Sequence, residues 1–315
     1  MLWLLLMFTW QIQADEFIIR TDAGIEMPEA PEASLTKVMW WNIACSSTRF
    51  LSDLPAQQRI NFSPESSWQN LRALIGSDFE PDILVLGEYC PSDFDHPTYE
   101  VLAENYSHIH RVVRSNPHFQ KRNGLRVFSK FPIEIKEELL LTDGQFASSY
   151  LNELCSGDVN TSDRVWSRKV SILKIQNSSN SFTLAPIHLA NPWREIARCN
   201  PFYVLKAMYF DEENVNYLQT LDLISSVPTD DSTLLIGDFN APKRGGILLD
   251  SKPYKELEDF YGPSLIRGGT PTFFDKRDRY PEASIDHAFS LVLDTSYGEV
   301  LPLSGSDHLP IMVGF

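Results

Sequence analysis

Eight polar residues stand where short apolar runs stop. Asn42 closes KVMWWN, Glu88 closes DILVLGE and His188 lies in FTLAPIHL; Asp238 and Asn240 end LLIGDFN, Asp286 sits in SIDHAF, and Asp307 and His308 sit in SGSDHLP. These side chains offer carboxylates, amides and imidazoles, the groups that hold hard cations and move protons near neutral pH. Taken singly, each has a structural use: Asn42 as a strand-end turn residue, Asp238 and Asn240 as an Asx turn, Asp286 as a cap, His188 as a hydrogen-bonded core histidine. Jointly they resist that account, because so many polar strand ends are costly to desolvate without a use.

The elements that must position them are legible from hydrophobic patterning. Lys37–Asn42, Asp82–Glu88, Leu125–Ser129, Val170–Ile175, Phe182–Leu189, Leu234–Asn240, Ile285–Ser290 and Ile311–Phe315 are strand-length apolar runs ending in turn residues. Several are apolar on successive residues, as expected of strands covered on both faces. Ser63 and Pro64 mark a helix start with Trp68, Leu71 and Ile75 on one face, and 211–226 places Val215, Leu218, Leu221 and Ile224 at helical spacing behind three acids. Alternating elements over 315 residues, 43% of them hydrophobic, predict one large layered α/β domain. Polar groups at the ends of its strands share a rim where a site can form.

Order and form together make the segments WN (41–42), PDILVLGE (81–88), NGLRVFSKFPI (123–133), IHL (187–189), GDFN (237–240), IDHAFS (285–290) and SDHLPI (306–311) similar to the endonuclease/exonuclease/phosphatase superfamily. That is the metal-dependent phosphoesterase fold of pancreatic-type deoxyribonucleases, abasic-site endonucleases, neutral sphingomyelinases and inositol polyphosphate phosphatases. The resemblance covers residue 37 to the C-terminus; GDFN and SDHLP are its specific parts. It implies a four-layered α/β sandwich, two packed mixed β-sheets flanked by helices. It also implies Glu88 as main ligand of Mg²⁺ or Mn²⁺ with Asn42 and Asp307 assisting, hard oxygen donors that suit those ions. Asp238 and Asn240 would hold the attacking water, a scissile-phosphate oxygen or a second metal. His308, oriented by Asp286, would take a proton from water or stabilise the phosphorane, and His188 would face it as a donor to a phosphate oxygen or the leaving group. Elementary charge reasoning agrees: a phosphodiester is an anion, and a rim of carboxylates can hold it only through a cation.

Two positions depart from the family pattern. Gly87 stands where Gln is usual before the metal-binding Glu, and Ile187 where Thr or Ser is usual before His188. The glycine removes a side chain that would support the ligand. Cys45 and Cys90, just beyond Asn42 and Glu88 on strands the family places side by side, are candidates for a bridge. His287, next to Asp286 on a strand, points to the opposite face and reads as packing.

Charge and the chain start bound the biology. The net charge of −15 makes a charge-driven nucleic-acid coat protein a poor fit, and four cysteines without a CxxC pair support neither a zinc ribbon nor a redox motif. Within this acidic chain, residues 105–133 lack Asp and Glu and carry Arg111, Arg114, Lys121, Arg122, Arg126 and Lys130. The segment reads as a solvated basic face or a phosphate-tracking surface, with Arg111, Arg114 and Arg122 as substrate-binding candidates. Residues 1–14 read as a cleaved signal peptide, too short an apolar run for a stable membrane anchor, and predict a secreted or periplasmic protein; 15–36 read as a flexible lead-in. Three functions follow. One is an exported phosphodiesterase or nuclease. Another is an inositol-phosphate phosphatase or sphingomyelinase-like phospholipase of the same fold. The last is a non-catalytic binding or toxin-delivery module, disfavoured because Glu88, Asp238, Asn240, Asp307 and His308 are all present. Oligomeric state is left open.

Overall fold

Runs of β-branched and aromatic residues with little internal Gly or Pro favour extended backbone that buries both faces. The computed structural model describes residues 16–44, 59–89, 96–112, 124–142, 168–177, 181–191, 212, 214–228, 232–243, 250–267, 270–274, 283–293 and 295–315. One sheet has six strands in the order β10 (Tyr297–Val300), β11 (Ile311–Gly314), β1 (Lys37–Asn42), β2 (Ile83–Tyr89), β4 (Gly124–Ser129) and β3 (His108–Val112). The other has five: β5 (Ile133–Leu140), β6 (Lys169–Gln176), β7 (Ser181–His188), β8 (Thr233–Lys243) and β9 (Ser284–Phe289). Each sheet holds one parallel pair, β1 with β2 and β7 with β8, among antiparallel neighbours.

Three apolar layers hold the stack together. Between the sheets lie Val38, Trp40, Val85, Val127, Leu173, Leu184, Leu234, Ile236 and Ile311. Outside the six-stranded sheet, Met39, Trp41, Leu84, Leu86 and Phe128 pack with Trp68 and Leu71 of α1 (Pro64–Leu74) and Leu102 of α2 (Pro97–Asn105). Beyond the five-stranded sheet, Ile172, Ala185, Ile187, Leu235 and Phe239 meet Leu223 of α3 (Val215–Ser226) and Tyr254 and Leu257 of α4 (Lys252–Tyr261). Helix, sheet, sheet, helix is the four-layered sandwich that the resemblance implied. Burying each large apolar side chain contributes roughly 1.5–3 kcal/mol, so alternate residues of one strand stabilise two different interfaces.

Local expectations and structure differ at instructive places. Ser63 occupies the N-cap of α1 without a side-chain cap bond, and α3 is capped instead by Asn214, whose side chain accepts from the Asn216 amide. The buried face of α3 carries Val215, Asn216, Gln219, Thr220 and Leu223, while Leu221 is exposed. Apolar spacing alone put the face elsewhere, because the buried polar residues are spoken for by hydrogen bonds to neighbouring loops. Strands β3, β5 and β10 and helix α2 carried too little apolar periodicity to be read from sequence, and α4 went unread although Tyr254, Leu257 and Tyr261 recur at helical spacing; β5 is an edge strand exposed along most of its length. Residues 18–20, expected within a flexible lead-in, bond to the chain near Leu303: Arg20 N–H donates to Pro302 O and Ser304 N–H to Ile18 O. Among the described residues no helix is long and apolar enough to cross a membrane. The signal-peptide segment 1–14 and all four cysteines lie outside the described residues, and with them the suggested Cys45–Cys90 bridge.

Candidate active site

Parallel pairing puts polar strand ends side by side twice. Asn42 lies against Gly87 across β1 and β2, next to Glu88; His188 lies against Asp238 across β7 and β8, and Asp238 against Asp286 across β8 and β9. Stacking the sheets then closes the two rows onto each other. Asn42 Nδ2 donates to Asp238 Oδ2 at 3.3 Å and lies 3.4 Å from His308 Nε2. His188 Nε2 is 3.8 Å from Glu88 Oε1 and 3.7 Å from Asp238 Oδ2. His308 Nε2 is 3.9 Å from the same Asp238 oxygen, while its Nδ1 meets Asp286 Oδ2 at 2.8 Å. Residues from β1, β2, β7, β8, β9 and the loop before β11 thus share one rim.

Irregular backbone aims these groups. Glu88 and Asn240 have φ of 49° and 48°, in the left-handed region, and the ladders shift register between Leu86 and Tyr89 and between Asp238 and Lys243. Such a conformation costs a non-glycine residue on the order of 1–3 kcal/mol, maintained here by the surrounding sheet. Asp238 Oδ1 accepts from the Asn240 amide, the Asx turn suggested by sequence, and Asn42, read as a strand-end turn residue, accepts through Oδ1 from the Ala44 amide; both turns orient the site. Gly237 is required by close approach: a Cβ there would fall 1.9 Å from Ile187 O.

Asp286 has both carboxylate oxygens engaged. Oδ2 binds His308, Oδ1 accepts from Trp40 Nε1 at 2.8 Å, and its amide donates to Thr272 Oγ1. Phe273 packs edge-on against the His308 ring, with centroids 5.1 Å apart. Gly87 now has a reason: a Cβ there would lie 2.6 Å from Trp40 Cη2, so the indole that supports Asp286 fills the space a side chain at 87 would need. Sequence reasoning missed Trp40, although its neighbours Trp41 and Gly87 were both singled out. It also missed Asn216 and Gln219 of α3, which hold the strand ends from behind: Asn216 Nδ2 donates to Ala190 O and Phe239 O, and Gln219 Oε1 accepts from the Ala190 amide. Thr272 and Phe273 left no sequence signal.

Electrostatics single out two groups. Burial, with the neighbouring Asp286 charge next, raises Asp238 to about 7. For His308 burial disfavours the charged ring, yet the Asp286 charge and hydrogen bond, with Asp238 and Asp307 adding, outweigh it and raise the imidazole to about 10. A cavity that keeps protons on an acid and an imidazole is short of positive charge. Asp238, Asp286 and His308 each offer a ligand atom within 4.8 Å of the others. This group and the Glu88, Asn42 and Asp307 set suggested by resemblance share one neighbourhood but are different residues. Glu88 and Asn42 bring further hard oxygen donors to this neighbourhood, and the donor chemistry fits a hard cation. Asp307 joins through Ser306, whose Oγ donates to Asn42 O and lies 3.4 Å from Asp307 Oδ1.

The remaining predictions separate. His287 faces away from the rim, with Nε2 2.9 Å from Ala241 O, its ring among Phe239, Tyr254 and Phe289, and its pKa pushed down by burial to about 4. It packs, as its place on the strand suggested. Arg111 is exposed on β3, directly across from Arg126 and two strands from β2, on the helix-covered side of the sheet. Arg114 and Arg122 lie outside the described residues.

Comparison with known proteins places this arrangement. The chain is similar in fold to the human Nocturnin catalytic domain (TM-score 0.52, 15% identity, 89% of this chain and 92% of that one). It is likewise similar to an endonuclease/exonuclease/phosphatase from Beutenbergia cavernae (0.55, 19%, 89% and 71%) and to ANGEL2, a 2′,3′-cyclic phosphatase (0.51, 16%, 92% and 98%). No curated protein sequence matches. The model of the Endonuclease/Exonuclease/phosphatase family, whose members are phosphoric ester hydrolases that use divalent metals, matches residues 39–308. Because that span covers most of the chain, from within β1 to His308, and takes in the whole rim, the chain belongs to this family.

Proposed function

We propose that this chain is an exported, Mg²⁺- or Mn²⁺-dependent phosphodiesterase, acting on nucleic acid, that hydrolyses its substrate by in-line attack of water. The observation that carries the reading is the convergence, across two sheets, of Asn42 and Asp238 on the nitrogen of His308 that Asp286 leaves available, with His188 lying between the same Asp238 oxygen and Glu88. When bound, the cation would be held by Glu88 with Asn42 and Asp307 and would neutralise the charge that develops on the phosphoryl oxygens.

The chain's own residues supply the rest. Asp286 fixes the His308 ring so that Nε2 points into the cleft, and Trp40 fixes Asp286. Raised to about 10, His308 is suited to donate a hydrogen bond to the phosphorane, and it becomes a base once the local negative charge is neutralised. His188, from the opposite sheet, donates to a phosphate oxygen or the leaving group, and Asp238 and Asn240 orient the water. The Nocturnin structure with a bound sulfate anion and the ANGEL2 structure with adenosine-2′,3′-vanadate support an oxyanion ligand for such a rim. The composition of residues 105–133, basic and without Asp or Glu, supports a polyanionic substrate, and the apolar residues 2–10 followed by Ala14 support export.

The test is a panel of plasmid DNA, RNA, sphingomyelin and inositol phosphates, each with Mg²⁺, Mn²⁺ or chelator, using Glu88→Ala as control. Cleavage of DNA or RNA that needs the cation and is lost in the variant is expected. Hydrolysis of sphingomyelin or inositol phosphates alone would move the substrate assignment, and no cation-dependent hydrolysis would overturn the reading.

A further inference from the structure

The family match begins at residue 39, yet a segment ahead of it reaches the catalytic loop. Ile18–Arg20 runs antiparallel to 302–304: Ile19 pairs with Leu303, Arg20 N–H donates to Pro302 O, and both the amide and the hydroxyl of Ser304 donate to Ile18 O. Asn70 of α1 closes this clamp, accepting from the Ile18 amide and donating to the carbonyls of Ile18 and Ser304.

At its centre Arg20 is 1% exposed, an uncommon place for a guanidinium. Asp22 accepts from Arg20 Nε at 2.7 Å, and the guanidinium is stacked between Phe62 (4.5 Å) and Phe274 (4.0 Å). The remaining arm, Nη1, donates to Ser306 O at 3.2 Å. Ser306 is the hinge of the site: its hydroxyl donates to Asn42 O and accepts from the His308 amide. Phe274, under the guanidinium, donates its amide to Asp307 O, and its neighbour Phe273 rests on the His308 ring. One buried cation therefore touches both the backbone that presents Asp307 and His308 and the segment that packs on them.

We propose that Arg20 is a positioning residue for the reaction and that residues 16–22 are a clamp on the 302–308 loop. The proposal rests on the reading of His308 as part of the catalytic cluster. Arginine suits the task because its planar fork binds a carboxylate and a carbonyl while its faces stack on two rings; lysine keeps the charge but not the fork.

Three full-chain variants, Arg20→Met, Arg20→Lys and Asp22→Asn, test it on bis(4-nitrophenyl) phosphate with Mn²⁺, beside His308→Ala, with hydrogen exchange read at residues 303–309. Displacing catalytic groups by about 1 Å costs on the order of 100-fold, so Arg20→Met is expected to lose about that factor in kcat with KM nearly unchanged. Exchange at the Gly305 and His308 amides should accelerate, and Arg20→Lys should recover part of both. Folded Arg20→Met with wild-type kcat and wild-type protection of 303–309 would overturn the proposal. Should Arg20→Met fail to fold, wild-type kcat in both Arg20→Lys and Asp22→Asn overturns it equally. Full activity in His308→Ala would instead overturn the catalytic reading; an inactive His308→Ala beside unaffected Arg20 variants sinks the clamp alone.

Discussion

Changing Asp286 to Asn removes one negative charge and almost no volume, and its effect follows from the two donors that Asp286 serves. Trp40 Nε1–H can only donate, and His308 Nδ1–H donates at 2.8 Å. An asparagine has a single acceptor oxygen. If that oxygen stays on Trp40, the amide NH₂ faces His308 Nδ1, which must give up its proton to become the acceptor, leaving a neutral ring protonated only on Nε2, the nitrogen 3.9 Å from Asp238. If the amide is reversed, two donors face each other at Trp40 and a buried N–H goes unsatisfied, at a cost of about 1–3 kcal/mol. Either way the ring loses its tautomer or its orientation, and kcat is expected to fall between about 10²- and 10⁴-fold.

The same substitution has a stability signature in metal-free protein. His308 is raised to about 10 from an ordinary 6.5, so the folded chain holds a proton that the unfolded chain releases first. That stabilisation is fully present below pH 6.5 and is lost as pH rises through 10, at up to about 1.4 kcal/mol per pH unit. Without the Asp286 charge, the variant should lose less stability between pH 7 and 10 than the wild type. Thermal unfolding across that range, paired with kcat at saturating substrate, is the assay. A folded variant within about twofold of wild-type kcat, where loss of an acid–base group predicts 10² or more, would refute the assignment of Asp286 as the orienting group.

Other expectations follow from the same geometry. Trp40→Phe keeps an aromatic ring but removes the donor to Asp286 and should lower kcat by about tenfold, the worth of one hydrogen bond to a charged group. Gly87→Ala should damage the wild type by driving a Cβ into the indole and should be relieved in Trp40→Phe; strictly additive effects in that double-mutant cycle would contradict the contact. Because Asp238 is raised to about 7, titrating Mg²⁺ or Mn²⁺ into the protein should release close to one proton per cation near pH 6, measured by calorimetry in buffers of different ionisation heat. Charge reversal at Arg111, Arg114 and Arg122 should weaken nucleic-acid cleavage and flatten its salt dependence, and an unchanged salt slope would remove these arginines from the substrate track.

Much of the strand framework was readable because continuous apolar runs have few other solutions than strands covered on both faces, and polar residues punctuating them mark a rim. Asn42, Glu88, His188, Asp238, Asp286 and His308 could be nominated from sequence for that reason. What sequence could not supply was which of them meet, since partners such as Asn42 and Asp238 are 196 residues apart and are brought within 3.3 Å only by stacking one sheet on the other. Likewise the buried face of α3 was misplaced, because Asn216 and Gln219 are polar by composition yet buried by the carbonyls and amides they satisfy.

Trp40 and Arg20 show the same division most sharply. A tryptophan in an apolar strand reads as core, and a lone arginine in a proline-rich, acidic stretch reads as solvated surface. Only tertiary structure turns the indole N–H toward Asp286 and seals the guanidinium between Phe62 and Phe274 against the Ser306 carbonyl. Local pattern reports which residues prefer water or oil along one segment. The direction of a single hydrogen bond between distant segments depends on how whole layers pack, and no local pattern encodes it.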